Sequence, residues 1–75
     1  MARKHRIGNA IRRLRFEHGE MTQQQLADAV GVTRQTIVAM EQSKYSPSLE
    51  LAFLVADVFG QKVDEVFWLD KEGGE

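Results

Sequence analysis

Apolar residues recur along much of the chain at three- and four-residue intervals, which place them on one face of a helix. Near the N-terminus this spacing is followed by Ile7, Ala10, Ile11 and Leu14. Arginines fill the positions between them, so the set predicts an amphipathic first helix with a basic outer face. Gly19 suits the left-handed conformation in which helices often end, and we expect the first helix to stop there.

Hydroxyl side chains mark the starts of the next two helices. Thr22 is followed three positions later by Gln25. This is the spacing of a capping box, and it predicts a second helix that ends at residues 29–30. Thr33 is the N-cap candidate of a third helix, which we expect to end near Gln42.

The C-terminal half of the chain is more apolar. Ser48 is positioned to cap a fourth helix over residues 49–59, in which only Glu50 and Asp57 are polar. A helix that is apolar nearly all round is expected to be buried on most sides. Apolar spacing through residues 63–67 predicts a short fifth helix. No stretch alternates between apolar and polar residues for the length of a β-strand. The pattern therefore predicts an all-α fold of five helices.

The length of 75 residues leaves room for one hydrophobic core, so we expect a single domain over 1–75. Its folded core is expected at about 6–69, with a basic N-terminal arm over 1–6 and a frayed acidic tail over 70–75. Domains of this size usually depend on disulfides, a metal or a partner subunit for stability. Cysteine is absent, so we expect oligomerisation to supply the additional stability.

Composition argues against catalysis and metal binding. Without cysteine there is no thiol nucleophile and no cysteine-type zinc site. His5 and His18 are thirteen residues apart with no partner at ligand spacing, so we expect no metal and no cofactor. No set of nucleophile, base and orienting group is apparent, which predicts that the protein is not an enzyme. No apolar run has the length of a signal peptide or membrane span, and we expect a cytoplasmic protein without a membrane partner.

Charge is unevenly distributed along the chain. The net charge is −1, yet residues 1–15 hold six of the ten Lys and Arg residues and no acid. Residues 47–75 hold seven acids against two lysines. The basic end suits a polyanion such as nucleic acid, while ordinary solvated surface charge is the alternative interpretation.

The second and third predicted helices are joined by a short turn that contains Gly31. Two short helices joined in this way are typical of a helix-turn-helix. Arg34 and Gln35 fall at the exposed N-terminal end of the third helix. Arginine binds guanine and glutamine binds adenine through paired hydrogen bonds, so residues 33–42 are a candidate recognition helix for the DNA major groove.

The chain resembles the Xre/Cro/CI-type helix-turn-helix regulators, and in particular their small single-domain bacterial members. The resemblance spans Asn9 to Phe67 and rests on three stretches, NAIRRLR, MTQQQLADAVGVTRQTI and MEQSKYSPSLELA. It implies a lambda-repressor-like domain that binds double-stranded DNA. Glu20 departs from the family pattern, because it is an extra residue in the turn before the second helix, and it predicts a turn of different shape.

The resemblance also implies roles for individual residues. Phosphate contacts are implied for Gln23, Thr33, Gln42 and Lys44, and Gln23 is also implied to buttress the recognition helix. Contacts to base edges are implied for Arg34, Gln35, Thr36 and Ala39. Arg15 and Glu41 match the family's structural ion pair between the first and third helices. Few basic residues lie near the motif itself, so the segment Arg3 to Arg6 is expected to add backbone or minor-groove contacts as a flexible arm.

Three large apolar residues follow one another near the C-terminus. They cannot all lie on the buried face of one short helix. With apolar residues of the fourth helix they predict a self-associating surface, and the resemblance implies a two-fold dimer through the same region. The expected interface consists of Phe53, Leu54, Val58, Phe67, Trp68 and Leu69. The alternative is a monomer in which these residues cover its own core.

The function predicted from the sequence is that of a sequence-specific, DNA-binding transcriptional regulator. A homodimer would bind a palindromic operator and act most simply as a repressor. No small-molecule ligand is indicated. The alternative is an antitoxin-type autoregulator or a protein-interaction adaptor built on the same fold.

Overall fold

The computed structural model describes residues 5–71. Within this range the chain forms five helices and two strands, in the order β1 (His5–Asn9), α1 (Ile11–Glu17), α2 (Gln23–Val30), α3 (Arg34–Glu41), α4 (Leu49–Val58), α5 (Val63–Val66) and β2 (Phe67–Lys71). Residues 1–4 of the predicted arm and 72–75 of the predicted tail lie outside the described residues.

Helices α2, α3 and α4 start at the hydroxyl side chains that were predicted to cap them. Thr22 Oγ1 accepts a hydrogen bond from the Gln25 N–H at 3.0 Å, and Gln25 Oε1 accepts one from the Thr22 N–H at 2.8 Å. Thr33 and Ser48 accept in the same way from the third residue after them, at the starts of α3 and α4. These bonds satisfy N–H groups that have no partner inside the first turn of a helix. The predicted capping box and both further N-caps are confirmed.

The turns on either side of α2 require left-handed backbone. Gly31 ends α2 with a φ of 80°, and its N–H donates to the Ala27 carbonyl at 2.8 Å. α3 begins three residues later, so α2 and α3 form the predicted helix-turn-helix. In the turn before α2, Gly19 and Glu20 have φ values of 73° and 55°. The extra residue is therefore accommodated as a second left-handed residue, a conformation that is uncommon outside glycine.

An antiparallel strand pair replaces part of the predicted helical structure. β1 pairs with β2 in a register that places Ile7 opposite Leu69. The all-α prediction was therefore wrong at both ends of the domain. The first helix begins at Ile11 rather than near Ile7, and the chain continues as β2 after α5. Periodicity over about five residues does not separate a strand from a helix, and each strand finds its partner far away in the sequence.

The strand pair also changes the interpretation of the predicted arm. Arg6 lies directly opposite Asp70 in the register of the two strands. Directly opposite residues share one face of a strand pair, where unlike charges attract. Arg6 therefore belongs to the sheet and not to a flexible arm.

One hydrophobic core connects the elements. The side chains with no exposed surface come from all the helices and are Ile11, Leu26, Ala27, Ile37, Val55 and Val66. Asn9 Nδ2 donates to the Met40 carbonyl at 2.7 Å, which ties the end of β1 to the last turn of α3. In the part of the chain described, no helix is long and apolar enough to cross a membrane.

Candidate functional site

Three helices are joined at one point by hydrogen bonds to Glu41, the last residue of α3. Arg15 Nε donates to Glu41 Oε2 at 2.7 Å, and Arg15 Nη2 donates to Glu41 Oε1 at 3.2 Å. Gln23 Nε2 donates to the same Oε1 at 3.1 Å. Arg15 Nη1 also donates to the Met21 carbonyl at 2.7 Å. The predicted ion pair between Arg15 and Glu41 is confirmed, and it fixes α1 and the start of α2 against the end of α3.

Burial and paired hydrogen bonds hold the Arg15 and Glu41 side chains in one arrangement. The side chains of Arg15 and Glu41 are only 14% and 10% exposed, and a guanidinium that makes two bonds to a carboxylate holds both groups in one orientation. The amide of Gln23 has two hydrogens, of which one is given to Glu41. The second remains for an acceptor outside the protein.

An open cleft of about 620 Å³ lies next to the network, between α1, the start of α2 and α3. Most of the residues that line it are polar or charged, and they are Arg12, Arg15, Thr22, Gln23, Gln24, Arg34, Val38, Glu41 and Gln42. Because Arg15 neutralises Glu41, the uncompensated charge in the cleft is positive. It comes from Arg12 and Arg34, and the cleft therefore suits an anion.

The predicted DNA contacts are distributed between this cleft and the rest of α3. Three of them line the cleft, namely Gln23, Arg34 and Gln42. Thr33 and Gln35 are exposed at the start of α3, whereas Thr36 and Ala39 are half-buried. Lys44 is exposed in the turn after α3, where its N–H donates to the Ala39 carbonyl at 2.9 Å.

Thr36 is turned back toward the start of its own helix. Its hydroxyl lies 3.1 Å from Thr33 Oγ1, which also accepts the Thr36 N–H at 3.3 Å. This pair of hydroxyls stabilises the first turn of α3. Arg34 and Gln35 are left as the long side chains that this end of α3 presents to solvent.

The position of Arg34 is unfavourable for the helix itself. It is the first residue of α3, and no acid lies in the first turn. A cation at the positive end of a helix dipole loses about 0.3–1 kcal/mol. Residues that break a local rule of this kind are concentrated at functional sites, and a bound anion would offset the cost.

Arg12 lines the cleft, although the sequence pattern predicted for it only a place on the basic outer face of the first helix. The available signal was its position three residues before Arg15, which places both on one face of α1. Within residues 5–71, no cluster of His, Asp and Glu side chains is arranged to hold a metal ion.

Four apolar side chains of α4 lie outside its buried face, as two pairs one turn apart, Leu49 with Phe53 and Leu54 with Val58, and the exposed Glu50 and Asp57 lie between the pairs. Phe53 and Leu54 are 58% and 42% exposed, and Leu49, one turn before Phe53, is 72% exposed. Val58, one turn after Leu54, is half-buried and packs against the core. We call these four residues the α4 stripe. Leu49 was missing from the predicted interface.

The other predicted interface residues lie on β2 and do not share one surface. Phe67 is buried in the core of the protomer. Trp68 lies against α1, in a groove that also contains Phe16 and Met21. Leu69 is exposed and pairs with Ile7 across the strands. The alternation of side chains along a strand separates these three neighbours.

Comparison with known protein families matches residues 11–66 to the family described as helix-turn-helix. A relative from Archaeoglobus fulgidus is 48% identical over 62 residues, which cover 83% of this chain and 87% of the relative. The relative YgzD from Bacillus subtilis is 44% identical over 64 residues, which cover 85% of this chain and 96% of the relative. Both are named uncharacterised helix-turn-helix-type transcriptional regulators.

A solved structure from Bacteroides fragilis, named for an expected DNA-binding role, has a similar fold. It aligns with a TM-score of 0.70 over 83% of this chain and 98% of its own length. The sequence identity is 22%, so the similarity is one of fold.

Proposed function

Because the chain belongs to the helix-turn-helix family of transcriptional regulators, which is not a class of enzymes, we propose that it binds double-stranded DNA sequence-specifically through α3. The observation that carries the proposal is the cationic cleft. The N-terminal end of α2, one face of α1 and the side of α3 from Arg34 to Gln42 line it, and the N-terminus of α2 favours phosphate through its dipole and N–H groups.

The residues of this surface divide into those that contact DNA phosphates and those that contact base edges. We assign phosphate contacts to Gln23, Thr33, Gln42 and Lys44. We assign base contacts to Arg34 and Gln35, since each bidentate pair contributes about 1–3 kcal/mol of discrimination between bases. Thr36 and Ala39 are half-buried and stand at the edge of the base contact, where the Ala39 methyl group suits a thymine methyl.

We further propose that two copies associate through the α4 stripe. Its exposed leucine and phenylalanine side chains suit a self-complementary apolar interface, which a two-fold dimer provides. Two recognition helices would then enter successive major grooves about 34 Å apart on a palindromic operator. Occupying promoter DNA would make the protein a repressor. Trp68 and Leu69 stay predicted contacts of this dimer, and Phe67 is left out because it is buried in the core.

The proposal is tested by selecting bound duplexes from a random DNA pool with the wild type and with Arg34→Ala/Gln35→Ala. We expect the wild type to enrich a palindrome and the double variant to lose that preference while keeping its helical circular dichroism. A folded wild type that enriches no sequence would contradict the proposal and favour the protein-interaction adaptor.

A further inference from the structure

The arginine at position 12 is the cation of α1 that faces the proposed DNA cleft. Arg12 and Arg15 lie three residues apart on one face of α1. The ion pair of Arg15 with Glu41 turns this face toward α3. Arg12 accordingly lines the cleft together with Arg34 and Gln23.

The three arginines of α1 differ in whether the guanidinium forms an ion pair within the protein. Arg15 is paired with Glu41, and Arg13 is paired with Glu17 at 3.3 Å on the exposed side of the helix. Within residues 5–71, the Arg12 guanidinium takes part in no ion pair and is exposed. It therefore offers a planar set of N–H donors to a ligand in the cleft, and guanidinium geometry matches phosphate well.

A further basic residue of the N-terminal segment is held in the strand pair and not in the cleft. Arg6 lies opposite Asp70 in the sheet and is not among the residues that line the cleft. In the sequence from Phe16 to Ser46, only Arg34 and Lys44 are basic. Apart from the ion-paired Arg15, the basic residues that line the cleft are thus Arg12 and Arg34.

We infer that Arg12 binds a DNA phosphate beside the recognition helix and adds affinity without sequence preference. The inference rests on the proposed function, since it assigns one more contact to the same surface. Each phosphate neutralised by a basic side chain releases condensed counterions. Loss of one contact therefore reduces the slope of log K against log salt concentration by about 0.9.

The test compares Arg12→Ala with the matched variant Arg13→Ala, which removes a neighbouring charge outside the cleft. Binding to the selected duplex and to a scrambled duplex of equal length is measured over a series of salt concentrations. We expect Arg12→Ala to weaken binding to both duplexes by the same factor, about two- to tenfold, and to reduce the salt slope by about 0.9. Arg13→Ala should change both quantities much less, and Arg12→Lys should restore most of the affinity.

Each other outcome overturns the inference in a recognisable way. Equal effects of Arg12→Ala and Arg13→Ala would show a general charge effect and no contact. A changed base preference in Arg12→Ala would show a base contact in place of a phosphate contact. Normal binding by Arg12→Ala overturns the inference and leaves the proposed function intact, whereas a wild type that binds neither duplex overturns both. Thermal melting of each variant shows that the fold is retained.

Discussion

At the scale of the residue, the Glu41 carboxylate depends on hydrogen bonds from Arg15 and Gln23, because little water can reach it. It is nearly buried, and a charge in such a place must be paired to be tolerated. The family resemblance predicted the ion pair with Arg15 and a supporting role of Gln23 against the recognition helix, but not that both side chains bind the same carboxylate. Sequence spacing identifies which residues share a face of one helix. Which side chains from different helices bind one carboxylate depends on how those helices pack.

Replacing Arg15 tests the importance of this pairing for stability. Arg15→Met leaves Glu41 with Gln23 as its neutral partner, and we expect the free energy of unfolding in urea to fall by about 2 kcal/mol. Arg13→Met, which breaks only an exposed pair, should cost less than about 0.5 kcal/mol. The double variant Arg15→Met/Glu41→Leu should recover most of the loss because no unpaired charge remains. Equal stability of Arg15→Met and Arg13→Met would contradict this account.

At the scale of the element, helices and strands differ in how far the sequence reveals them. The starts of α2, α3 and α4 depend on Thr22, Thr33 and Ser48, whose partners lie three residues away. Such local signals are visible in the sequence. β1 and β2 depend on each other across almost the whole chain. Ile7 therefore matched a helical spacing by coincidence, and Phe67 was assigned to the fifth helix.

The close approach of the strands at one position provides a test of the sheet. Gly8 lies opposite Trp68, and a Cβ at Gly8 would be 2.4 Å from Trp68 Nε1. Gly8→Ala should therefore push the indole outward, shift the emission of this single tryptophan to the red, and lower stability by about 1 kcal/mol. In a Trp68→Val background the same substitution should cost less. An unchanged emission spectrum together with equal costs in both backgrounds would exclude the contact.

At the scale of the whole molecule, the cationic cleft and the α4 stripe lie on different helices, as a protein that binds both DNA and a second copy of itself requires. The helix-turn-helix motif and the family resemblance predicted Gln23, Arg34 and Gln42 of the first surface, whereas charge asymmetry alone left ordinary solvated charge as an equal alternative. For the second surface the prediction of Phe67 was wrong, because Phe67, Trp68 and Leu69 are neighbours in sequence but point to different environments along β2. Only the fold separates them.

Sedimentation equilibrium tests the proposed dimer. We expect the wild type to be a dimer at micromolar concentration and Phe53→Ser/Leu54→Ser to be a monomer that binds a palindromic duplex more weakly. Phe16→Ser, a change of an exposed aromatic residue on α1, should stay dimeric. Leu69→Ser decides whether β2 contributes to the interface. A monomeric wild type would contradict the dimer.

Contact of DNA with the cleft and α3 is tested most directly by nuclear magnetic resonance, with isotope-labelled protein titrated with the selected duplex. We predict that the largest changes in chemical shift occur at Arg12, at Gln23, over residues 33–36 and at Lys44, with small changes along the α4 stripe. Changes concentrated on α4, with the cleft and the start of α3 unaffected, would contradict the assignment of α3 as the recognition helix.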